Sequence, residues 1–397
     1  MAGVRALRSW AGQRVRSNLF LHKWRFAPTI IAYALWRRVA PVEPRRVAFL
    51  SDSRDGFSGN FALLRDELAR QDPEAEVVAV FRRSLRVRRP WRDAWRLPRV
   101  IATSRVIVLD DYFPQIYPLR LRPETALVQV WHAVGAFKRM GHSRAGLPGG
   151  PPPGALTHRN YTAATVSSEA VRPYYAEAYG IDAARVFALG VPRTDAFFDA
   201  AAVARAGRAV RERWGIAAGR RIALFAPTFR GKGQRSAYYD YDWVDFGQLA
   251  ARLGEDWAVL VKMHPFVRPL DQARTAARGV IDVTREREMT ELMMAADVLV
   301  TDYSSAVFEY ALLDRPIVYF CPDLADYTAA RDFYRPFAEY VIGPLVTDAR
   351  DLAGAIQTAQ VDRGAARVFL ETFASALDGH STERIVRALL ARPGGGA

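Results

Sequence analysis

Short apolar runs alternate with amphipathic stretches through most of this chain. From residue 46 onward, aliphatic and β-branched residues cluster at 47–51, 76–81, 106–109, 126–131, 163–167 and 186–189. Each run is apolar on both faces, which predicts buried strands of a parallel sheet rather than half-polar strands of a solvent-facing one. Helical spacing fills the intervals at 60–70, 91–104 and 168–179. A charged helix over 201–214 follows, and then the alternation restarts. Strands are expected at 222–226, 258–262, 280–283, 298–301 and 316–320, with helices at 246–253, 289–296, 305–313 and 349–357. Two successive βα arrays predict an α/β protein of two Rossmann-like, doubly wound parallel-sheet domains with an interdomain cleft. The expected boundaries are 1–44 for a basic helical segment, 45–205 and 206–364 for the two domains, and 365–397 for a terminal helix and frayed tail.

Composition narrows this picture in two ways. The single cysteine, Cys321, excludes an intrachain disulfide and argues against a cysteine-based zinc site. The net charge of +14 is local: residues 1–50 hold ten Lys/Arg and one acidic residue, and residues 81–100 hold eight Arg and one Asp. Those seventy residues carry +16, so the remainder is slightly acidic. Such patches suit an anionic lipid surface or a nucleic acid. The aromatic-rich stretch 19–36 has no uncharged run longer than 26–36, with Pro28 inside it, and a membrane-spanning helix needs about 20 apolar residues. The segment reads as one that lies on the membrane surface, the favoured reading, or as a helix packed on the first domain with its arginines solvated. The Pro/Gly-rich loop 147–154 reads as a flap or a surface connection.

Polar and ionisable residues recur where strands end, which is where open α/β sheets bind ligands. After the strand at 298–301 come Asp302, Ser304 and Ser305 at an expected helix start, with Glu309 one turn in. Backbone N–H groups and hydroxyls at such a start suit a phosphate, and Glu309 suits ribose hydroxyls; a plain helix cap explains the serines equally simply. The strand at 258–262 runs into Lys262 and His264, and the strand at 222–226 into Thr228 and Arg230. A histidine there can donate to phosphate or move a proton, and arginine suits bidentate phosphate contact. In the first half, a strand ends at Trp131-His132 with Lys138 close behind, and another runs into Arg193 and Asp195. Five such strand ends together point to an anion-handling active site.

The ordered set Trp131-His132 with Lys138 and Gly141, Gly190-x-Pro192-Arg193-x-Asp195, Pro227-Thr228-Phe229-Arg230, Lys262-Met263-His264-Pro265 and Asp302-Tyr303-Ser304-Ser305 resembles the CDP-glycerol glycerophosphotransferase family of teichoic acid biosynthesis. The resemblance runs from about residue 45 to 360. It implies a GT-B-like architecture, a CDP-glycerol or related CDP-polyol donor, a lipid-linked acceptor and a peripheral place on the cytoplasmic face of the cell membrane. By position, His132 is implied as the general base toward the acceptor hydroxyl and His264 as a donor to the diphosphate. Thr228, Arg230, Ser304 and Ser305 are implied as phosphate contacts and Glu309 as a ribose contact. Asp302 is implied to help shape the donor pocket, and Lys138, Arg193 and Asp195 the acceptor side. Many members carry Trp-His-Gly-Thr where this chain has Trp131-His132-Ala133-Val134, a departure that touches acceptor detail.

The reaction expected is attack of an acceptor hydroxyl on the distal phosphorus of the donor, most simply CDP-glycerol, with release of CMP. The adjacent Asp110 and Asp111 would diverge on a strand, so no metal and no cofactor are expected. Two other readings compete. One is a GT-B glycosyltransferase using a nucleotide sugar. The other is a non-catalytic membrane or nucleic-acid-binding protein whose footprint is residues 82–99; it leaves the strand-end histidines and arginines unexplained, so no nucleic acid partner is expected.

Overall fold

The computed structural model describes residues 26–391 apart from 83–86, 88, 148–149, 232–235, 271–277 and 287. The expected features at 1–25, at the centre of the 81–100 basic stretch, at the tip of the 147–154 loop and at the tail therefore lie outside the described residues. The chain forms two compact units. The first comprises 1–132, 139–192 and 380–397, and the second 133–138 and 193–379. The hydrophobic pattern suggests one division near residue 205, whereas the chain changes unit at four points.

The first unit is built on six parallel strands. They are β1 (Glu43–Ser51), β2 (Glu76–Phe81), β3 (Ser104–Leu109), β4 (Ala126–Gln129), β5 (Ala163–Thr165) and β6 (Val186–Phe187), in the order β2-β1-β3-β4-β5-β6. Pro28 opens α1 (Ala27–Val39) instead of interrupting it, because a proline in the first turn gives up only an N–H with no helical partner. Arg37 and Arg38 in its last turn complement the helix dipole. α1 packs on α3 (Asp93–Thr103), where the Arg99 guanidinium lies 5.1 Å from the Trp36 ring. On the core side, Phe61, Leu64 and Leu68 of α2 (Asn60–Gln71) close over Phe49, Val106 and Val128. α4 (Arg172–Tyr179) ends at Gly180 in the left-handed region.

The second unit repeats the architecture. Its strands are β7 (Arg221–Phe225), β8 (Trp257–Val261), β9 (Val280–Asp282), β10 (Val298–Thr301), β11 (Ile317–Phe320) and β12 (Leu345–Val346), in the order β12-β11-β10-β7-β8-β9. All pairings are parallel. Asp199, Asp245, Asp348 and Asp362 cap α5 (Ala200–Trp214), α6 (Phe246–Leu253), α10 (Ala349–Thr358) and α11 (Arg363–Phe373), each accepting a backbone N–H in the first turn. Phe246 and Leu249 of α6 and Leu352 and Ile356 of α10 pack on Phe225, Val259 and Phe320. α5 packs on α7 (Met289–Ala295). α8 (Ala306–Tyr310) follows β10, and α9 (Leu324–Ala330) follows β11.

The terminal region expected as one helix is two. α11 belongs to the second unit, with Phe369 stacked on Phe308 of α8 at 5.1 Å. α12 (Ser381–Ala391) returns to the first unit, where Ile385, Val386 and Leu389 complete the core against α2. The break falls at Gly379, whose φ of +88° takes the chain out of helical geometry.

Candidate functional site

Each sheet has a point where strand order reverses, and the side chains that end the strands gather there. In the second unit this point lies between β7 and β10. Asp302, which follows β10, accepts hydrogen bonds from the Thr228 N–H at 2.7 Å, the Thr228 hydroxyl at 2.9 Å and Arg230 Nη1 at 2.7 Å. Arg230 also gives Nε and Nη2 to the carboxylate of Asp323, at 2.7 and 2.8 Å. Thus β7, β10 and β11 are tied at their carboxyl ends by one arginine and two carboxylates.

This geometry changes the expected roles of Arg230 and Asp302. Arg230 is 5% exposed and Asp302 1%, and the guanidinium is spent on carboxylates rather than presented to a phosphate. The rings of Tyr239, Trp243, Tyr303 and Tyr327 surround it with centroids 4.8–5.7 Å away. Burial opposes its charge, but the hydrogen bonds of Asp323 and the charge of Asp302 outweigh burial and push its pKa up. Glu309 is likewise occupied: its buried carboxylate accepts Nε and Nη2 of Arg193 at 2.7 and 2.6 Å. Arg193, Asp195 and Lys138, expected on the acceptor side, all belong to the second unit.

His264 sits just past β8, between the rings of Phe229 at 4.6 Å and Phe266 at 4.5 Å. The Phe266 N–H donates to His264 Nδ1 at 3.2 Å, so Nδ1 is an acceptor and Nε2 carries the proton. Burial, followed by the charges of Lys262 and Lys138, pulls the pKa of His264 down from 6.5 to about 4. Near neutral pH it is an uncharged hydrogen-bond donor. Lys138 reaches this region by bridging to Phe333, with its ammonium 5.2 Å from the Tyr327 ring. The Ser304 hydroxyl accepts the Ala306 N–H at 3.2 Å, a capping role, and Ser305 precedes the first turn of α8 with no side-chain cap. Both serines are partly exposed.

In the first unit, strand order reverses between β1 and β3. Arg54, beyond β1, pairs with the buried Asp110 at the end of β3. Asp111 turns instead to its neighbour, accepting the Tyr112 N–H at 2.7 Å. His132 follows the next strand, β4. Its Nδ1 lies 3.0 Å from the Asp110 carbonyl oxygen, and a carbonyl only accepts, so Nδ1 carries the proton and Nε2 keeps a free lone pair. The turn that aims this ring is strained: Trp131 has φ +48°, a conformation costing a bulky residue about 1–3 kcal/mol. It is held by Asn60 Nδ2 donating to the Trp131 carbonyl at 2.7 Å and by the Trp131 N–H donating to Gln129 Oε1 at 3.0 Å. Motif spacing alone does not point to Asn60, Arg54 or Asp323; each lies dozens of residues from its partner.

The basic stretch at 81–100 is also partly neutralised. Arg82 makes a bidentate pair with buried Asp52 at 2.9 and 2.6 Å, and Arg89 pairs with the same carboxylate. Arg96 donates to the Ala79 carbonyl at 2.8 Å. These residues brace the sheet, which weakens the reading of this stretch as a nucleic-acid footprint.

A family model described as CDP-glycerol:poly(glycerophosphate) glycerophosphotransferase matches residues 31–391. The chain is 39% identical over 371 residues to the teichoic acid poly(ribitol-phosphate) polymerase of Bacillus spizizenii, covering 93% of this chain and 60% of that protein. It is 42% identical over 352 residues to the teichoic acid ribitol-phosphate polymerase TarK of Staphylococcus aureus, covering 88% of this chain and 69% of that one. The chain thus spans about two thirds of the length of these relatives or less. Among solved structures, the wall teichoic acid polymerase TagF superposes with a TM-score of 0.74 at 20% identity, over 94% of this chain and 97% of that chain. That likeness establishes the GT-B-like, two-domain α/β fold.

Proposed function

Because the chain belongs to the CDP-glycerol:poly(glycerophosphate) glycerophosphotransferase family, we propose that it transfers a polyol phosphate from a CDP-polyol to a hydroxyl of a lipid-linked teichoic acid acceptor and releases CMP. The observation that carries the mechanism is the opposed state of two strand-end histidines. A backbone carbonyl fixes the His132 proton on Nδ1, leaving Nε2 as a base. A backbone N–H occupies His264 Nδ1, leaving Nε2–H as a donor. One fold thereby supplies a lone pair that can take a proton and an N–H that can donate a hydrogen bond.

In this mechanism the acceptor hydroxyl gives its proton to His132 Nε2 as its oxygen bonds to the distal phosphorus. The bond from that phosphorus to the bridging oxygen breaks, and CMP leaves with the electron pair. His264 Nε2–H and Lys138 meet the charge on the diphosphate, and the hydroxyls of Ser304 and Ser305 line the phosphate side. Arg230 and Asp302 hold that edge in shape, and Glu309 orients Arg193. Such transfer depends mostly on positioning and charge stabilisation, and these groups supply both, so chelation with EDTA should leave CMP release unchanged. The polyol we favour is ribitol. Glycerol is the simplest expectation from the family, but the two relatives described above are both named for ribitol phosphate.

The place of action we propose is the cytoplasmic face of the membrane, as a peripheral protein. Ile31, Leu35 and Val39 of α1 are exposed at four-residue intervals beside Arg37 and Arg38, a pattern that suits an interfacial helix. Among the described residues, no helix is long and apolar enough to cross a membrane. The decisive experiment is CMP release by the purified chain with CDP-ribitol or CDP-glycerol and a lipid-linked acceptor. Faster release with CDP-ribitol supports the whole reading. Release only with CDP-glycerol overturns the choice of polyol, and no release with any CDP-polyol overturns the function. Stabilisation by UDP- or GDP-sugars alone would favour a glycosyltransferase.

A further inference from the structure

The first unit carries a polar cavity at the amino-terminal edge of its sheet. Thr125, Thr162 and Arg185, which line it, immediately precede β4, β5 and β6, so the cavity opens at the amino ends of these strands. His158 and Tyr179, also in its lining, lie 6.5 and 6.1 Å from the ring of Trp131, on which His132 stacks at 4.5 Å. The cavity has a volume of about 610 Å³, within the roughly 300–1,000 Å³ range of ligand pockets. Its lining includes Arg120, Arg122, Arg159 and Arg185 and no acidic residue.

Three of these arginines are presented rather than consumed. Among the described residues, the guanidinium groups of Arg120, Arg159 and Arg185 make no hydrogen bond or ion pair within the protein, and all three are exposed. That contrasts with Arg54, Arg82, Arg89, Arg193 and Arg230, each spent on a carboxylate. The backbone that carries them is rigidly held. His158 and Asn160, flanking Arg159, both adopt left-handed backbone conformations, with φ of +62° and +80°. Asn160 Nδ2 pins that turn to the carbonyls of Ile116 at 2.8 Å and Leu119 at 3.0 Å. The Arg120 carbonyl is clamped to α1 by the Tyr33 hydroxyl at 3.0 Å and Arg37 Nη1 at 3.1 Å, and Arg122 donates to the Ala40 carbonyl at 2.6 Å.

From this geometry we propose that the cavity at the amino ends of β4–β6 is a binding site for a ligand with two or more phosphate groups, a diphosphate or a short run of phosphodiesters. Several guanidinium groups around one cavity, with no carboxylate among them, call for more than one negative charge. The phosphates are carried either by a soluble polyol-phosphate chain or by a lipid headgroup. None of the residues proposed above to act on substrate lines the cavity, and the site does not depend on the identity of the donor.

The test compares wild type with R120Q/R159Q/R185Q, none of whose positions belongs to the proposed catalytic machinery. Calorimetric titration with inorganic pyrophosphate reads the site directly, and any pyrophosphate bound elsewhere contributes equally to both proteins. The variant should bind about 10-fold more weakly or worse, and R120K/R159K/R185K should recover most of that loss. A soluble trimer of ribitol phosphate and flotation with phosphatidylcholine vesicles, with and without phosphatidylglycerol, form the other two arms. A loss in the trimer arm assigns the site to the polymer chain, and a loss confined to phosphatidylglycerol vesicles assigns it to the headgroup. Equal binding by wild type and the glutamine variant in all three arms overturns the proposal. CMP release at saturating substrate should be the same in both proteins, and failure of that release in both leaves the pyrophosphate arm readable.

Discussion

Replacing Arg230 by methionine separates two roles that motif spacing cannot. If the guanidinium were a phosphate ligand, R230M would fold as well as wild type and lose only donor affinity. The structure makes it the cation between Asp302 and Asp323, contacting each at 2.7 Å. Removing it leaves a carboxylate that is 1% exposed without its counter-charge. Deleting one partner of such a buried pair costs about 3–5 kcal/mol, mostly from the uncompensated charge left behind. R230K keeps the charge but not the fork that reaches two carboxylates, so it should lose less, about 1–3 kcal/mol. Urea unfolding followed by circular dichroism measures this, and a slope of roughly 2 kcal/mol per molar urea translates the methionine loss into a midpoint lowered by about 1.5–2.5 M. An R230M midpoint within about 0.3 M of wild type, together with weakened CMP binding, would refute the structural role and restore the phosphate role.

Three further outcomes follow from the same geometry. His264 takes its proton near pH 4 when folded and near 6.5 when unfolded, so the unfolded chain binds more protons between these values. Its contribution to stability is therefore present above pH 6.5 and is lost as pH falls toward 4; H264N should flatten the stability profile in that window, and an unchanged profile would count against the burial of the ring. N60A leaves the Trp131 carbonyl without its donor and should destabilise the protein by about 1–3 kcal/mol. Because that bond holds the turn that aims His132, kcat should fall while the affinity for CMP stays put; loss of both in equal measure would argue against positioning. At Gly135, with φ +67°, an added Cβ would lie 2.7 Å from the Phe308 ring. G135A should lower stability by about 1–3 kcal/mol in thermal unfolding, and a neutral result would mean that the segment 133–138 can shift away from α8.

The sequence by itself determined the layers of this protein. Strands such as β3, β8 and β10 are apolar on both faces because each is buried between helices, and that demand is written residue by residue. Strand-end placement of His132, Thr228, His264 and Asp302 was legible for the same reason, since a strand boundary is a local composition change. The two-residue β12 was not, because two residues carry no period. What only the tertiary structure decided is which charges are spent and which are offered. Arg230 and its acceptors are 72 and 93 residues apart, and Arg193 and Glu309 are 116 apart. A guanidinium's role depends on what neutralises it, and that partner is brought near by the fold rather than by spacing. Unit membership followed the same logic. Residues 133–138 and α12 read locally as a loop and a helix, and only the apolar faces they bury, against Phe308 for the one and α2 for the other, assign them to the unit they complete.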